Sequence, residues 1–488
     1  MKLVMGTSTR LPLAGVLRLG RPPEIWFKPA LSVVVAVAPP NLALLMLGRL
    51  DLALYTMAGS LCALYAHNRP YAARARALAC VVLGMLGGLA TALVAASLTA
   101  DAVVLVAVGS VLAAVQKVLC DATRIGPPGN VVLTFISSAA LFAPQSLDQV
   151  PGHLAPAVAA GAWAWLVGMA PGLLRPHGPE RRATAAALDA VATHAGTSGP
   201  GSAGEDRART HATAAAAVQA ARQSLYSAGR PSEARLALER LVVRAEVALA
   251  APADADPGLL RTWARQVRGN RPVPEVDDLA VLGAELAPRS RPLWRRLGPL
   301  APLAVRTALG CALAGYVSLA LGIGRPYWAL VTAASLYQAN LTLTWGRGVQ
   351  RVVGNLLGVL LFAALVPLAH TGEVALVLCC LALNFGAEAL IGRNYWLGSV
   401  CVTPMALLIT EFTGFQEPGR LITERVVDTL VGALVGLIAA VAVPDRAWQR
   451  VVRTERTAPR TLAATGRSQG RPHPDQRTDS DTTEGVRP

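Results

Sequence analysis

The sequence predicts an all-α polytopic membrane protein: two six-helix transmembrane halves, about twelve spans, joined by a cytoplasmic helical insert. Three observations predict it. Hydrophobic residues make up 53% of the chain and charged residues only 15%, against about a quarter charged in soluble domains. The apolar runs gather into two clusters, and several exceed the roughly 18 residues that a bilayer-spanning helix needs. Arginines alternate from one connecting loop to the next, as the bias for positive charge on the cytoplasmic side requires.

The first cluster covers 30–47, 50–66, 78–98, 102–119, 130–146 and 153–173; the second covers 301–321, 327–343, 352–369, 373–391, 395–411 and 426–443. With Lys2, Arg10, Arg18, Arg21 and Lys28 inside, the inner loops carry Arg69, Arg74 and Arg76, then Lys117 and Arg124, then Arg347 and Arg351, then Arg393. The outer loops carry Asp101, Asp148, Glu373, Glu411 and Glu417, with Arg49, Arg325 and Arg420 against the pattern. An even number of spans per half gives both halves one orientation, a parallel repeat about an axis along the membrane normal. GxxxG spacing recurs in the third spans (Gly84–Gly88, Gly354–Gly358) and the sixth (Gly168–Gly172, Gly432–Gly436). It lets helix backbones approach, within the chain or in a homo-oligomer. Pro39–Pro40 interrupts the first span and Pro404 the eleventh.

The boundaries that follow are 1–176 and 298–445 for the halves, 177–297 for the insert and 446–488 for a tail. In the insert, "GTSGPGSAGEDR" at 196–207 is a flexible break. "SEARLALERLVVRAEVALA" at 232–250 sets Leu236, Leu241, Val242, Ala245 and Leu249 along one helical face, with Ser232 as cap. Asp256–Pro257 opens another helix. The tail, rich in Arg, Thr, Asp and Pro, is expected to be disordered. Both termini and the insert are expected in the cytoplasm, and no cleavable signal peptide is expected.

Several machineries are excluded. No lysine stands in a GxxxxGK loop, so no ATPase motif is present. "GIGRPY" at Gly322 lacks the third glycine of a dinucleotide loop. The seven histidines are scattered and the seven cysteines show no CxxC spacing, so no metal, cofactor or catalytic group is expected. The net charge of +15 comes without the aromatic-interleaved module of a nucleic-acid binder. The expected partners are the lipid bilayer and a small solute. A transporter, a channel or a membrane anchor remains.

Polar residues inside the spans are the candidate functional groups, because a central charge costs about 2.5–3.5 kcal/mol on insertion scales. Asn384 and Glu388 share a face of the tenth span. Gln338 and Asn340 end the eighth. Arg425 and Asp428 begin the twelfth, spaced to pair, and Arg351 precedes Gly354 by three residues. Each also has a plainer reading: an arginine snorkelling to the headgroups, a helix–helix hydrogen bond, or a kink at Pro404.

The stretches "GRPYWALVTAASLYQANLTLTWGRGVQRVVGNLLGVL", "GRNYWLGSVCVTPMALLI" and "RVVDTLVGALVGL" resemble the fusaric acid resistance protein-like (FUSC) family of aromatic-acid exporters. The resemblance covers about 306–440. It rests on Pro326-Tyr327-Trp328, the series Arg347, Arg351, Gly354 and Gly358, Arg393-Asn394-Tyr395 with Thr403-Pro404, and Arg425 with Asp428 before Gly432. The first half is similar only loosely; "GPPGNVVLTFISSAA" keeps Asn130 without the arginine. The family implies secondary, proton-coupled efflux of aromatic carboxylic acids, is similar to plant malate channels, and includes members with a periplasmic adaptor. Carried onto this chain, the substrate residues are Arg351, Arg393, Asn394, Tyr395, Arg425 and Trp328, with Arg393 as carboxylate fork. Glu388 and Asp428 carry the coupling proton. Asn384, Asn340, Thr403 and Pro404 line the cavity.

Overall fold

Each of the twelve apolar runs folds as a helix in the computed structural model, which describes residues 15–20, 26–197, 204–227, 232–269, 272–274, 293–338 and 341–442. Asn340 and the tail lie outside the described residues, among which every regular element is helical. The first half comprises α1 (Phe27–Met46), α2 (Ala53–Ser60, prolonged by 3-10 turns at Leu50–Leu52 and Leu61–Leu64), α3 (Tyr71–Leu98), α4 (Ala102–Thr123), α5 (Val131–Leu141) and α6 (Val150–Met169). A short α7 (Pro171–Leu174) leads into α8 (Gly178–Gly196), α9 (Gly204–Ser227), α10 (Glu233–Ala250) and α11 (Pro257–Arg268). These last four helices bury a core of their own, with Leu188, Val218, Leu241 and Val267 at its centre. After α12 (Leu293–Leu297) come α13 (Ala301–Ala320), α14 (Tyr327–Leu336), α15 (Leu341–Ala369), α16 (Glu373–Ile391), α17 (Tyr395–Glu411) and α18 (Pro418–Ala442).

Eight of the twelve helices are long and apolar enough to cross a membrane; the runs at 50–64, 131–141, 327–336 and 395–411 are shorter. These four are the second and fifth helices of each half. At 1.5 Å per residue α14 spans about 15 Å, half of a hydrocarbon core. Expectation and structure differ most at this helix. The eighth span, expected to reach 343, stops at Leu336, and α15 begins at Leu341 rather than 352. Arg347 and Arg351, expected in a loop, stand inside α15. The glycines around them read as a loop, yet Gly348 is buried because a Cβ there would lie 3.5 Å from the Leu437 side chain of α18.

The same partners meet in both halves. The first helix packs on the second and sixth, the second on the sixth, the third on the fifth and sixth, and the fourth on the fifth. Between halves, α4 meets α13 and α16 meets α1, while α5 meets α14 and α2 meets α17. The third-helix glycines act alike: a Cβ at Gly88 would sit 2.8 Å from Ser137 of α5, and one at Gly358 would sit 2.6 Å from Thr403 of α17. The sixth-helix glycines do not. Gly168 and Gly172 face Leu78 and Tyr71 of α3, whereas Gly432 and Gly436 face Thr332 and Leu336 of α14. All these glycines are used within the chain.

Pro39–Pro40 does not break α1. Pro39 has no N–H for the Val35 carbonyl one turn earlier, and the indole N–H of Trp163 on α6 supplies that bond at 2.9 Å. The three arginines against the loop alternation each meet a carboxylate: Arg49 with Asp51 at 3.1 Å, Arg325 with Glu424 at 3.4 Å and Arg420 with Glu424 at 2.8 Å.

Two outcomes are expected. Gly358→Val should drive α15 from α17 and cost about 1–3 kcal/mol. Gly87→Val, with nothing within 4 Å of its Cβ, should unfold like wild type in the same detergent melt. From the loop alternation we propose that the insert is cytoplasmic. In a cysteine-free background, Ala216→Cys on the exposed face of α9 should escape an impermeant maleimide in intact cells and react after lysis. Labelling before lysis reverses the orientation.

Candidate functional site

Three buried polar side chains tie α15, α17 and α18 together. Thr403 Oγ1 donates to Asn355 Oδ1 at 2.6 Å, and Asn355 Nδ2 donates to Thr429 Oγ1 at 2.9 Å. Gly354 and Gly358 allow this approach by leaving α15 without side chains against α17. Arg351 stands one turn before Asn355 on α15, and Arg425 one turn before Thr429 on α18. The two helices run antiparallel, since Gly348 faces Leu437 while Asn355 meets Thr429. The two arginines therefore spring from the backbone on opposite sides of the polar belt.

Both arginines are buried, Arg351 at 5% exposure and Arg425 at 2%. Arg351 Nη1 donates to the Tyr395 hydroxyl at 2.9 Å, and Arg347 covers the same ring 3.9 Å from its centroid. Arg425 lies over Trp328 at 4.0 Å, and Trp328 stacks on Phe135 of α5 at 5.4 Å. Such cation–π contacts hold a guanidinium without neutralising it. Nε of Arg351, Nε and Nη1 of Arg425 and Oδ2 of Asp428 have no hydrogen-bond partner among the described residues. Asp428 accepts instead from Ser318 Oγ on α13 at 2.6 Å. The expected Arg425–Asp428 pair is not formed, because α18 packs against both α13 and α14 and the two side chains turn to different neighbours. The arrangement holds three cations against one carboxylate, with guanidinium donors left over for an anion.

The structure brings Arg351, Tyr395, Arg425, Trp328, Asp428 and Thr403 into this region, and it separates the other expected residues from it. Asn394 caps α17, accepting from Trp396 N at 3.4 Å, and its Nδ2 donates to the Val16 and Arg18 carbonyls at 3.1 and 3.0 Å. Trp396 Nε1 and Gln350 Nε2 also bind this strap, at Leu17 and Val16. Gly20 completes it, its N–H 3.0 Å from the Arg393 carbonyl. A Cβ at Gly20 would lie 2.9 Å from that oxygen. The Arg393 side chain is exposed. Asn384 donates to Cys380 O within its own helix at 2.9 Å. Thr403 and Pro404 are both buried, Thr403 against Gly358 of α15.

Glu388 lies elsewhere, on a cavity of about 2840 Å³ lined by the first half, the insert, the chain at 295–300 and the end of α16. Eleven lysines and arginines line it with two carboxylates, Glu388 and Asp121, and Asp121 pairs with Lys117 at 3.1 Å. Arg74 is 5% exposed there, and its Nη2 donates to His67 Nδ1 at 3.1 Å. Burial pushes His67 down to about 4, so at neutral pH the ring is uncharged and accepts. Sequence reasoning missed Asn355, Thr429, Ser318 and this basic cavity. Asn355 carried a readable signal, an amide inside the apolar run "VVGNLLG".

Removing Asn394 tests the strap. Asn394→Ala should lose the cap, worth about 1 kcal/mol, and speed tryptic cleavage after Arg18 in membranes. An unchanged cleavage rate would show that Asn394 does not hold the strap.

Residues 312–439 match the family model described as fusaric acid resistance protein-like. An uncharacterized membrane protein of Bacillus subtilis strain 168 is 31% identical over 159 residues, which is 32% of this chain and 24% of that protein. An uncharacterized protein of Haemophilus influenzae is 32% identical over 139 residues, covering 28% of this chain and 18% of its own length. The matched segments span about a quarter or less of those relatives. No solved structure matches the chain. With its apolar helices and these relatives, the chain is a multi-pass membrane protein whose second half carries a fusaric acid resistance protein-like region.

Proposed function

We propose that the chain is a secondary transporter that exports small organic anions, aromatic carboxylic acids foremost, from the cytoplasm. The observation that carries this reading is the pair of buried arginines beside the Asn355 belt, Arg351 and Arg425, with N–H groups unpartnered among the described residues. An uncompensated guanidinium at membrane depth is costly, and an anion offsets that cost. A carboxylate meets a planar fork in two bonds. In this reading it passes from Arg351 to Arg425, and Asp428, one turn from Arg425, carries the coupling proton. Shared pairings and third-helix glycines support a parallel duplication, with the short helices at the seam between halves. Transporter sites commonly lie at such repeat interfaces. Arg393, exposed at the inner mouth, contributes positive charge and not the fork.

Proteoliposomes loaded with hydroxybenzoates test the reading. Arg351→Lys and Arg425→Gln should each lower transport about tenfold or more per molecule in the membrane, since a charge-assisted bond is worth about 1.5–3 kcal/mol. Arg393→Lys should transport normally. Asp428→Asn should keep exchange of substrate across the membrane and lose uphill export driven by an imposed pH gradient. Full activity in both Arg351→Lys and Arg425→Gln removes the cluster from the path. The tandem arginines also favour a second reading, an anion channel in which a solute hops between fixed cations. With voltage clamped, failure of a pH gradient to drive wild-type uphill export would decide for the channel.

A further inference from the structure

The basic cavity has two chemically different ends. At one end Lys28, Arg175, Arg182 and Arg74 gather where α1 begins and α6 leads into the insert. Lys28 feels the charges of Arg182 and Arg175, and Arg74 that of Arg182, so they form one electrostatic group. Neighbouring Glu180 is buried, and burial pushes its carboxyl above the ordinary value. Arg74 points into the cavity nine-tenths buried, with its Nε unpartnered among the described residues.

At the other end the lining is apolar. Leu31 and Val35 of α1 and Trp163 and Leu166 of α6 line the same cavity and are exposed, Leu31 at 55% and Leu166 at 54%. The bond from Trp163 to the Val35 carbonyl ties the two helices together along the groove. From Lys28 to Val35 is seven residues, about 10 Å along the helix axis. The groove therefore runs into the hydrocarbon region, with the cations at its mouth.

A soluble anion has no use for an exposed apolar groove, and a neutral lipid has no use for four gathered cations. An amphiphile with a phosphate and an acyl chain satisfies both ends. We infer that the cleft between the α1–α6 groove and the insert binds an anionic phospholipid, its phosphate among Lys28, Arg74, Arg175 and Arg182 and an acyl chain along Leu31, Val35, Trp163 and Leu166. Glu388, on the same cavity, would repel the headgroup and confine it to the α3–α6 side. The site is separate from the Arg351–Arg425 cluster, so it stands whether or not that cluster transports an anion.

The test uses the purified full chain in neutral detergent with phosphatidylglycerol as the probe. Phosphatidylglycerol should raise the thermal unfolding midpoint and stay bound in native mass spectrometry, and phosphatidylcholine should do neither. Arg175→Gln with Arg182→Gln, which alters side chains with some solvent exposure, should weaken retention about tenfold or more while the lipid-free midpoint stays put. Leu31→Ser with Leu166→Ser should weaken the long-chain lipid and leave dihexanoyl phosphatidylglycerol little changed. Equal retention by wild type and the arginine variant overturns the site. Protection by free glycerol 3-phosphate or inorganic phosphate as strong as by the lipid overturns the lipid assignment and makes this a soluble-phosphate site.

Discussion

A ten-residue helix inside a membrane protein is a liability that the surrounding structure has to cover. The four N–H groups at the start of α14 and the four C=O groups at its end have no partner within the helix, and lipid offers none. The structure answers by burying every residue from Tyr327 to Leu336. α18 lies against one side of it, close enough that Gly432 and Gly436 must lack side chains. α13 covers another side, and α4 and α5 of the first half, with α15, cover more of it. The contact between halves is thus partly a consequence of a helix too short to stand against lipid. The stack of Phe135, Trp328 and Arg425 runs through that contact, so the buried guanidinium leans on both halves.

Charge is handled differently at the two ends of the helices. Arg49, Arg325 and Arg420 meet carboxylates within 3.4 Å. At the end bearing the insert, cations gather with few acids among them. Arg69 turns to the Thr123 carbonyl at the end of α4, at 3.2 Å, and Arg74 to a neutral imidazole. Paired arginines present little net field, and unpaired ones attract anions. The same rule separates the interior arginines from ordinary structural ones. Tyr395 and Trp328 supply ring faces and a hydroxyl, which hold Arg351 and Arg425 in place but leave their charge available.

Much of the architecture was legible in the sequence because apolar runs and arginine spacing register directly in helix number and order. All twelve runs are helices, and the insert helix at 233–250 buries Leu241, Val242 and Ala245 as its pattern indicated, while Leu236 of the expected face is exposed and Leu238 is buried instead. Helix length was less legible. A run such as 327–343 continues past the true end at Leu336 because Leu341 and Leu343, exposed residues at the start of α15, prolong the apolar pattern without belonging to α14. The site was legible by residue type and not by partner. Arg351, Arg425 and Asp428 stood out as charged groups in the wrong solvent, Tyr395 and Trp328 entered through the family resemblance, and the structure gathers all five. Asn394 stood out equally, yet it serves the α17 cap and the strap at Val16–Arg18. Nothing in a linear pattern reveals that a segment nearly 380 positions away will claim its amide.

The two halves share a scaffold and differ in chemistry. In each, the third helix presents glycines to the fifth, the fifth is short, and an asparagine precedes its first turn: Asn130 before α5 and Asn394 before α17. The polar belts part company. In the first half Gln116 Nε2 donates to Ser137 at 2.9 Å and its Oε1 accepts from Thr134 at 3.0 Å, a neutral and closed set of bonds. In the second half the belt is flanked by two arginines with donors to spare. A saturated neutral network fixes helices against one another and offers an ion nothing. An unsaturated charged one offers an anion a place and holds its own helices less completely. In the transport reading proposed above, the first half acts as the frame and the second carries the solute, with Trp328 against Phe135 as the point at which one bears on the other.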